Sequence, residues 1–232
     1  MARTTLAYLF VGLYVAAAAP VALTWALLTG RPELLFRLAR LCIRCAGCLC
    51  GIRVRSEGLE RLAPARTYLF MSNHQGNLDG PILFHTTGRD LRAVIKKEMM
   101  RIPILSAVFR SAGFVPIDRS DPIRARASID LATRRLQQDH SFFAFPEGTR
   151  SRDGRLGEFK KGVFVMAIKA GVPVVPVSIR NSRALQPPGQ YRIRPGCVDL
   201  IFHEPVATAA MRIEDRDQLL AEVRAAVLQG LS

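Results

Sequence analysis

The stretch YLFMSNHQGNLDGPIL, Tyr68 to Leu83, sets the reading of the chain. A short apolar run ends directly on a polar turn, and the turn opens a second apolar segment. The run reads as a strand buried on both faces, the segment after it as a turn entering a helix. Open α/β sheets build their sites at the carboxyl ends of such strands, which is where Asn73, His74 and Asp79 fall. With Gly76 between them to let the chain turn, His74 and Asp79 can meet at the helix start. The carboxylate would then accept the Nδ1 proton and leave Nε2 as a base. The spacing alone favours a plainer reading, with Asp79 as a helix cap and His74 as a satisfied polar side chain.

Working outward, short apolar runs separated by turn residues mark further strands at IRVRS (52–56), LRAVI (91–95), GFVPI (113–117), SFFAF (141–145), VVPVSI (174–179) and VDLIF (198–202). Helical patterns fall between them, at about 80–85, 103–112, 122–138, 162–170 and 215–228. Before the third of these, Ser120-Asp121-Pro122 supplies a capping residue and a proline for the first turn. The expectation is an α/β fold, a mixed central sheet flanked by helices, over residues 52–232.

The strand at 141–145 runs into PEGTRSRDGRLGEFKKG. Turn amides around Gly148 and Thr149, with the Arg150 guanidinium, suit a phosphate monoester. Glu147 repels phosphate, which leaves it to orient Arg150 or to accept from a hydroxyl. Arg152, Arg155, Lys160 and Lys161 fit a solvated basic loop at least as well. Of 33 basic residues only five are lysine, and Lys96, Lys97, Lys160 and Lys161 sit in pairs beside these segments. A lysine of the 96–97 pair, following its own strand, can reach the anion that Arg150 holds.

Residues 1–51 read differently. Thr4 to Gly30 carries no charge, and as a helix it would extend about 40 Å, enough to cross a hydrocarbon core of about 30 Å. Pro20 leaves two readings, one kinked spanning helix or a shorter one that dips into a leaflet. Arg3 and AAAAP also fit a secretory signal, but the apolar run continues to Leu28, beyond the usual core of such a signal, so a retained anchor is expected. The next segment places Arg37, Arg40 and Arg44 among apolar residues at helical spacing. Two tasks suit that amphipathic helix: lying in a membrane interface with its arginines at anionic headgroups, or packing on the domain with them in water. Together the two segments form an expected two-helix membrane-anchoring unit. Its basic flank after Gly30 leads to the expectation of a cell inner membrane or other cytoplasmic membrane, with the site facing the cytoplasm.

The net charge of +14 calls for an anionic partner. Aromatic content of 7% without a groove-reading motif argues against nucleic acid and for an acidic membrane surface. Cys42, Cys45, Cys48 and Cys50 lack the paired knuckles and the partner His or Asp of a zinc site, and read as apolar reduced thiols; no metal is expected. No GxSxG elbow surrounds Ser72, Ser106, Ser141 or Ser178, which disfavours a serine hydrolase.

Four blocks in order, NHQGNLD, KKEMMRIP with GFVPIDR, FPEGTRS and VPVVPVSI, make the chain similar to the glycerolipid acyltransferase family, especially its bacterial 1-acyl-sn-glycerol-3-phosphate acyltransferases. They span about residues 68–180. The resemblance implies that His74 is the general base and Asp79 its partner. It implies that Glu147, Gly148, Thr149 and Arg150 hold a glycerol phosphate with Lys96, or with Lys97 as second choice. By the same resemblance Arg119 lines the acceptor site and Pro176 looks like a wall of an acyl channel. The implied reaction moves a fatty acyl chain from acyl-CoA or acyl-acyl carrier protein to the sn-2 hydroxyl of 1-acylglycerol 3-phosphate, giving phosphatidic acid, without a cofactor. Two alternatives stay open: another lysolipid acceptor such as a lyso-aminolipid, or a non-catalytic protein that binds anionic membranes.

Overall fold

The computed structural model describes residues 1–118 and 120–232; Arg119 lies outside the described residues. The strands are β1 (Ile52–Glu57), β2 (Leu69–Ser72), β3 (Arg92–Lys96), β4 (Val115–Ile117), β5 (Phe142–Ala144), β6 (Val174–Arg180) and β7 (Gly196–Phe202). Each coincides with a run read as a strand from the sequence. They form one sheet in the order β1-β7-β6-β2-β5-β3-β4. Every neighbouring pair is parallel except β6 with β7, which is what makes the sheet mixed. Pro176 sits in β6 opposite Met71, and the β6–β7 ladder begins one residue later at Val177, so its missing N–H breaks no rung there.

Helices α3 (Asp79–Thr87), α4 (Pro103–Ser111), α5 (Pro122–Gln137), α6 (Gly162–Ala170) and α8 (Arg216–Gln229) match the expected ones to within two residues at each end; the single-turn α7 (Ser182–Leu185) was not expected. Asp121 caps α5 through Oδ1, which accepts from the backbone of Ile123 at 3.0 Å and Arg124 at 3.1 Å, ahead of Pro122 in the first turn.

Alternation along the central strands sorts their side chains into two cores. Phe70, Val175, Val177 and Ile179 pack with Phe36, Leu83 and Phe84 on one face. Leu69, Met71 and Val174 pack with Leu136, Phe164 and Val223 on the other. The polar turn after β2 is thereby held at the rim of a three-layer stack.

Two long helices precede the sheet, α1 (Ala2–Thr29) and α2 (Glu33–Cys50). α1 runs unbroken through Pro20 and is long and apolar enough to cross a membrane. It turns its small residues inward, Ala7, Ala19 and Ala22, and leaves Leu9, Leu13, Leu27 and Leu28 exposed. Near its start, Thr4 exchanges hydrogen bonds with the backbone of Ile193, and Tyr8 stacks on Tyr191. Leu35 and Phe36 of α2 enter the first core. Its arginines divide: Arg40 pairs with Asp90 at 2.7 Å, whereas Arg37 and Arg44 are exposed. The four clustered cysteines are free thiols, Cys42 and Cys50 buried and Cys48 exposed.

Phe70 is fully buried in the strand that carries the polar turn, with its ring edge-on to Phe202. Phe70→Ala should cost about 3–5 kcal/mol, because the cavity adds to the lost transfer energy. Denaturant unfolding of the purified protein checks this, and a loss below about 1 kcal/mol would show that the site is not tightly packed.

Candidate active site

Because β6, β2, β5 and β3 run parallel, their carboxyl ends share one edge of the sheet. The chain leaves β2 through Asn73, whose buried amide donates to the Ile179 carbonyl and accepts from the Ile179 N–H, each at 2.8 Å. This stitches the start of the turn to β6 before His74 is reached. The close approach of Gly76 to the carbonyl of Ser182 fixes the turn from outside: a Cβ on Gly76 would lie 2.8 Å from that oxygen.

Asp79 is fully buried at the start of α3. Its Oδ2 accepts from Nδ1 of His74 at 2.7 Å, from the N–H of Gln75 at 2.7 Å and from the N–H of Gly76 at 2.8 Å. A carboxylate oxygen already taking two backbone N–H groups can only accept, so Nδ1 carries the proton and Nε2 of the neutral imidazole keeps its lone pair. Phe145 braces the ring face to face, with centroids 3.9 Å apart and planes 12° from parallel. The His74 side chain stays 20% exposed, so the imidazole is held yet reachable.

The second loop locks onto the first. The sequence leaves Glu147 the tasks of orienting Arg150 or meeting a hydroxyl; in the structure its oxygens are taken elsewhere. Oε1 accepts from the His74 N–H at 2.7 Å and Oε2 from the Gly157 N–H at 2.8 Å. The His74 carbonyl in turn accepts from the Ser151 N–H at 2.7 Å. Gly157 has to be glycine for this contact, since a Cβ there would meet Glu147 Oε2 at 2.8 Å. Arg150 is oriented by Asn77, to whose Oδ1 it donates. Gly148, at φ +75°, makes the turn between Glu147 and Arg150. Thr149 and Arg150 are exposed at the rim.

The lysine pair separates. Lys97 bridges Asp118 at 2.6 Å, and that hydrogen bond, with those from Ser120, holds the Asp118 carboxyl down to about 2. Lys96 stands at the end of β3, largely exposed, with only a loose 3.8 Å pairing to Glu98. Neither lysine hydrogen-bonds to the loops that carry His74 or Arg150 among the described residues. Several supporting residues were not singled out by sequence reasoning: Asn77, Phe145, Gly157, and Arg183, which donates to the carbonyls of Ser151 and Arg152. Asn77 lies within the NHQGNLD block and was open to discovery there; Arg183 follows β6 and carries no local signal.

Burial raises the Glu147 carboxyl above the ordinary glutamate value, against the two N–H bonds that lower it. A raised folded-state value favours the protonated form, so this group's stabilisation is complete below the unfolded value of about 4.3 and is lost as pH rises through the folded one. Relative to Glu147→Gln, the wild type should therefore lose thermal stability on going from about pH 4 to pH 7. Melting curves of both proteins across that range decide it; a wild-type advantage that grows with pH would mean that the N–H bonds outweigh burial.

A model described as acyltransferase matches residues 53–180. The chain is 39% identical over 159 residues to a chloroplastic 1-acyl-sn-glycerol-3-phosphate acyltransferase of Arabidopsis thaliana, covering 66% of this chain and 44% of that protein. It is 31% identical over 150 residues to the 1-acyl-sn-glycerol-3-phosphate acyltransferase of Borreliella burgdorferi, covering 65% of this chain and 60% of that one. The chain thus spans less than two thirds of the length of these curated relatives. The crystal structure of the 1-acyl-sn-glycerophosphate acyltransferase of Thermotoga maritima superposes with a TM-score of 0.86 at 28% identity, over 98% of this chain and 92% of that one. The matched segment holds His74, Asp79, Glu147 and Arg150, and the chain belongs to the acyltransferase family.

Proposed function

We propose that the protein is a 1-acylglycerol-3-phosphate O-acyltransferase in which His74 is the general base. The observation that carries this is the Asp79 carboxylate, which fixes Nδ1–H and leaves Nε2 to receive a proton. In this reading Nε2 takes the proton of the sn-2 hydroxyl as its oxygen attacks the carbonyl of an acyl-CoA or acyl-acyl carrier protein thioester. The tetrahedral intermediate collapses by breaking the C–S bond, and the imidazolium returns its proton to the leaving thiolate. The thioester is already activated, so the route needs no acyl-enzyme, metal or prosthetic group.

Arg150, turned by Asn77 at the same sheet edge, suits the acceptor phosphate, with Gly148 and Thr149 shaping the turn beside it. Lys96 is the better second cation, because Lys97 is committed to Asp118. Glu147 serves the acceptor site by holding its loop against His74 rather than by touching phosphate. The helices of residues 1–51 form the membrane-anchoring unit and residues 52–232 the acyltransferase domain. In this reading the enzyme works on an anionic cytoplasmic membrane face, where thioester donors and lysophospholipids meet; the long apolar α1 and the net charge of +14 support it.

His74→Ala should lower turnover by about 10² to 10⁴ with the fold intact, since a positioned base contributes that much. Arg150→Ala should instead raise the KM for lysophosphatidate more than it lowers kcat. Thiol release from acyl-CoA and acyl carrier protein against a panel of lysolipids, with products identified by mass, tests both. Near-normal turnover of the His74 variant removes the base, and preference of the wild type for phosphate-free lysolipids removes the acceptor assignment. Vesicle binding without thiol release from any pair would favour the non-catalytic alternative.

A further inference from the structure

Among the described residues outside α1 and α2, nine large apolar side chains are exposed, and three of them follow one another along the connection from β3 into α4. Met99, Ile102 and Ile104 are 41%, 53% and 44% exposed, and Ile123 is 84% exposed; the others are Met1, Val54, Tyr191, Ile213 and Leu228. The first three belong to the single-turn helix after β3 and the first turn of α4. Ile123 opens α5 after the neighbouring strand β4, and the Lys97–Asp118 bridge ties the two connections together. Lys96, Arg101 and Arg124 are exposed around them.

A water-facing turn has no reason to present Met99, Ile102, Pro103 and Ile104 together, whereas an apolar tip ringed by cations is what an anionic membrane surface recognises. α4 also packs against α1: its Val108 joins the cluster that holds Ala22, Leu23 and Ala26. The helix that carries part of the patch thus packs on the one long and apolar enough for a membrane, and the patch follows β3 out of the sheet edge that carries His74 and Glu147.

We propose that the Met99–Ile104 turn is a second membrane contact. It inserts its apolar tip into the leaflet that α1 enters, with Arg101 and Arg124 at anionic lipid headgroups. The contact deepens the acyltransferase reading and rests on it for its use. With a second foot beside the site in addition to the α1–α2 unit, the mouth that holds Arg150 faces the headgroup layer, where a lysolipid presents its phosphate and hydroxyl.

Trp25 is the only tryptophan in the chain, which allows a direct test. The full-length protein carrying Trp25→Phe and Ile102→Trp is reconstituted in phosphatidylcholine–phosphatidylglycerol vesicles with bromine at shallow acyl positions. The introduced indole should be blue-shifted and quenched by the brominated lipid, as Trp25 should be in the wild type. An indole that stays unquenched while Trp25 is quenched overturns the contact. A blue shift that appears without vesicles and grows with protein concentration assigns the patch to a second copy of the chain and equally overturns it.

The companion variant Met99→Ser/Ile102→Ser/Ile104→Ser should acylate lysophosphatidate in vesicles about tenfold more slowly while staying within about twofold on detergent-dispersed substrate, because only membrane delivery is lost. Equal loss in both forms would place these residues in the chemistry instead. If the wild type acylates no lysolipid in either form, the acyltransferase reading falls while the quenching result still decides the contact.

Discussion

One oxygen atom, Oδ2 of Asp79, organises the site. It accepts three hydrogen bonds within 2.8 Å, two of them from the backbone that follows His74, inside a region where the side chain sees no solvent. A buried carboxylate is tolerated only when such donors replace water. Those donors belong to Gln75 and Gly76, so the interactions that offset burial of the charge also fold the turn that presents the imidazole. The imidazole's orientation and the fold of its turn are stabilised by the same atoms, and neither can be altered alone.

Around this point the sheet acts as a register. Parallel β2, β5 and β3 deliver the His74 turn, the Glu147 loop and Lys96 to one edge. Glu147 then converts neighbouring loops into one unit, because a single carboxylate bridges the N–H of His74 and the N–H of Gly157. The cations at the rim stay outside that lock. Arg150 and Lys96 are exposed, and among the described residues neither bonds to Asp79 or Glu147, which suits the phosphate contacts proposed for them.

Much of this was legible beforehand for a physical reason. Runs such as YLFMS and VVPVSI are short, apolar and bounded by turn residues, and burial on both faces of a parallel sheet demands that composition. His74 and Asp79 are five residues apart, close enough for local geometry to predict their meeting. The partners of Glu147 were not legible because they are backbone N–H groups, which have no letter in a sequence, and one of them lies 73 residues away. Arg183 holds the Ser151–Arg152 backbone across a distance that spacing cannot reveal. Arg40 looked like its neighbours Arg37 and Arg44, yet only tertiary packing could show that Asp90 stands beside it.

The central claim is that Asp79 holds the proton on Nδ1 of His74 and keeps Nε2 open as the base. Nitrogen-15 spectra of histidine-labelled protein report the tautomer directly. The account predicts a neutral His74 ring with Nδ1 protonated, its proton shifted far downfield by Asp79 and moved by Asp79→Asn. A neutral ring protonated at Nε2, or a spectrum indifferent to Asp79→Asn, would contradict it.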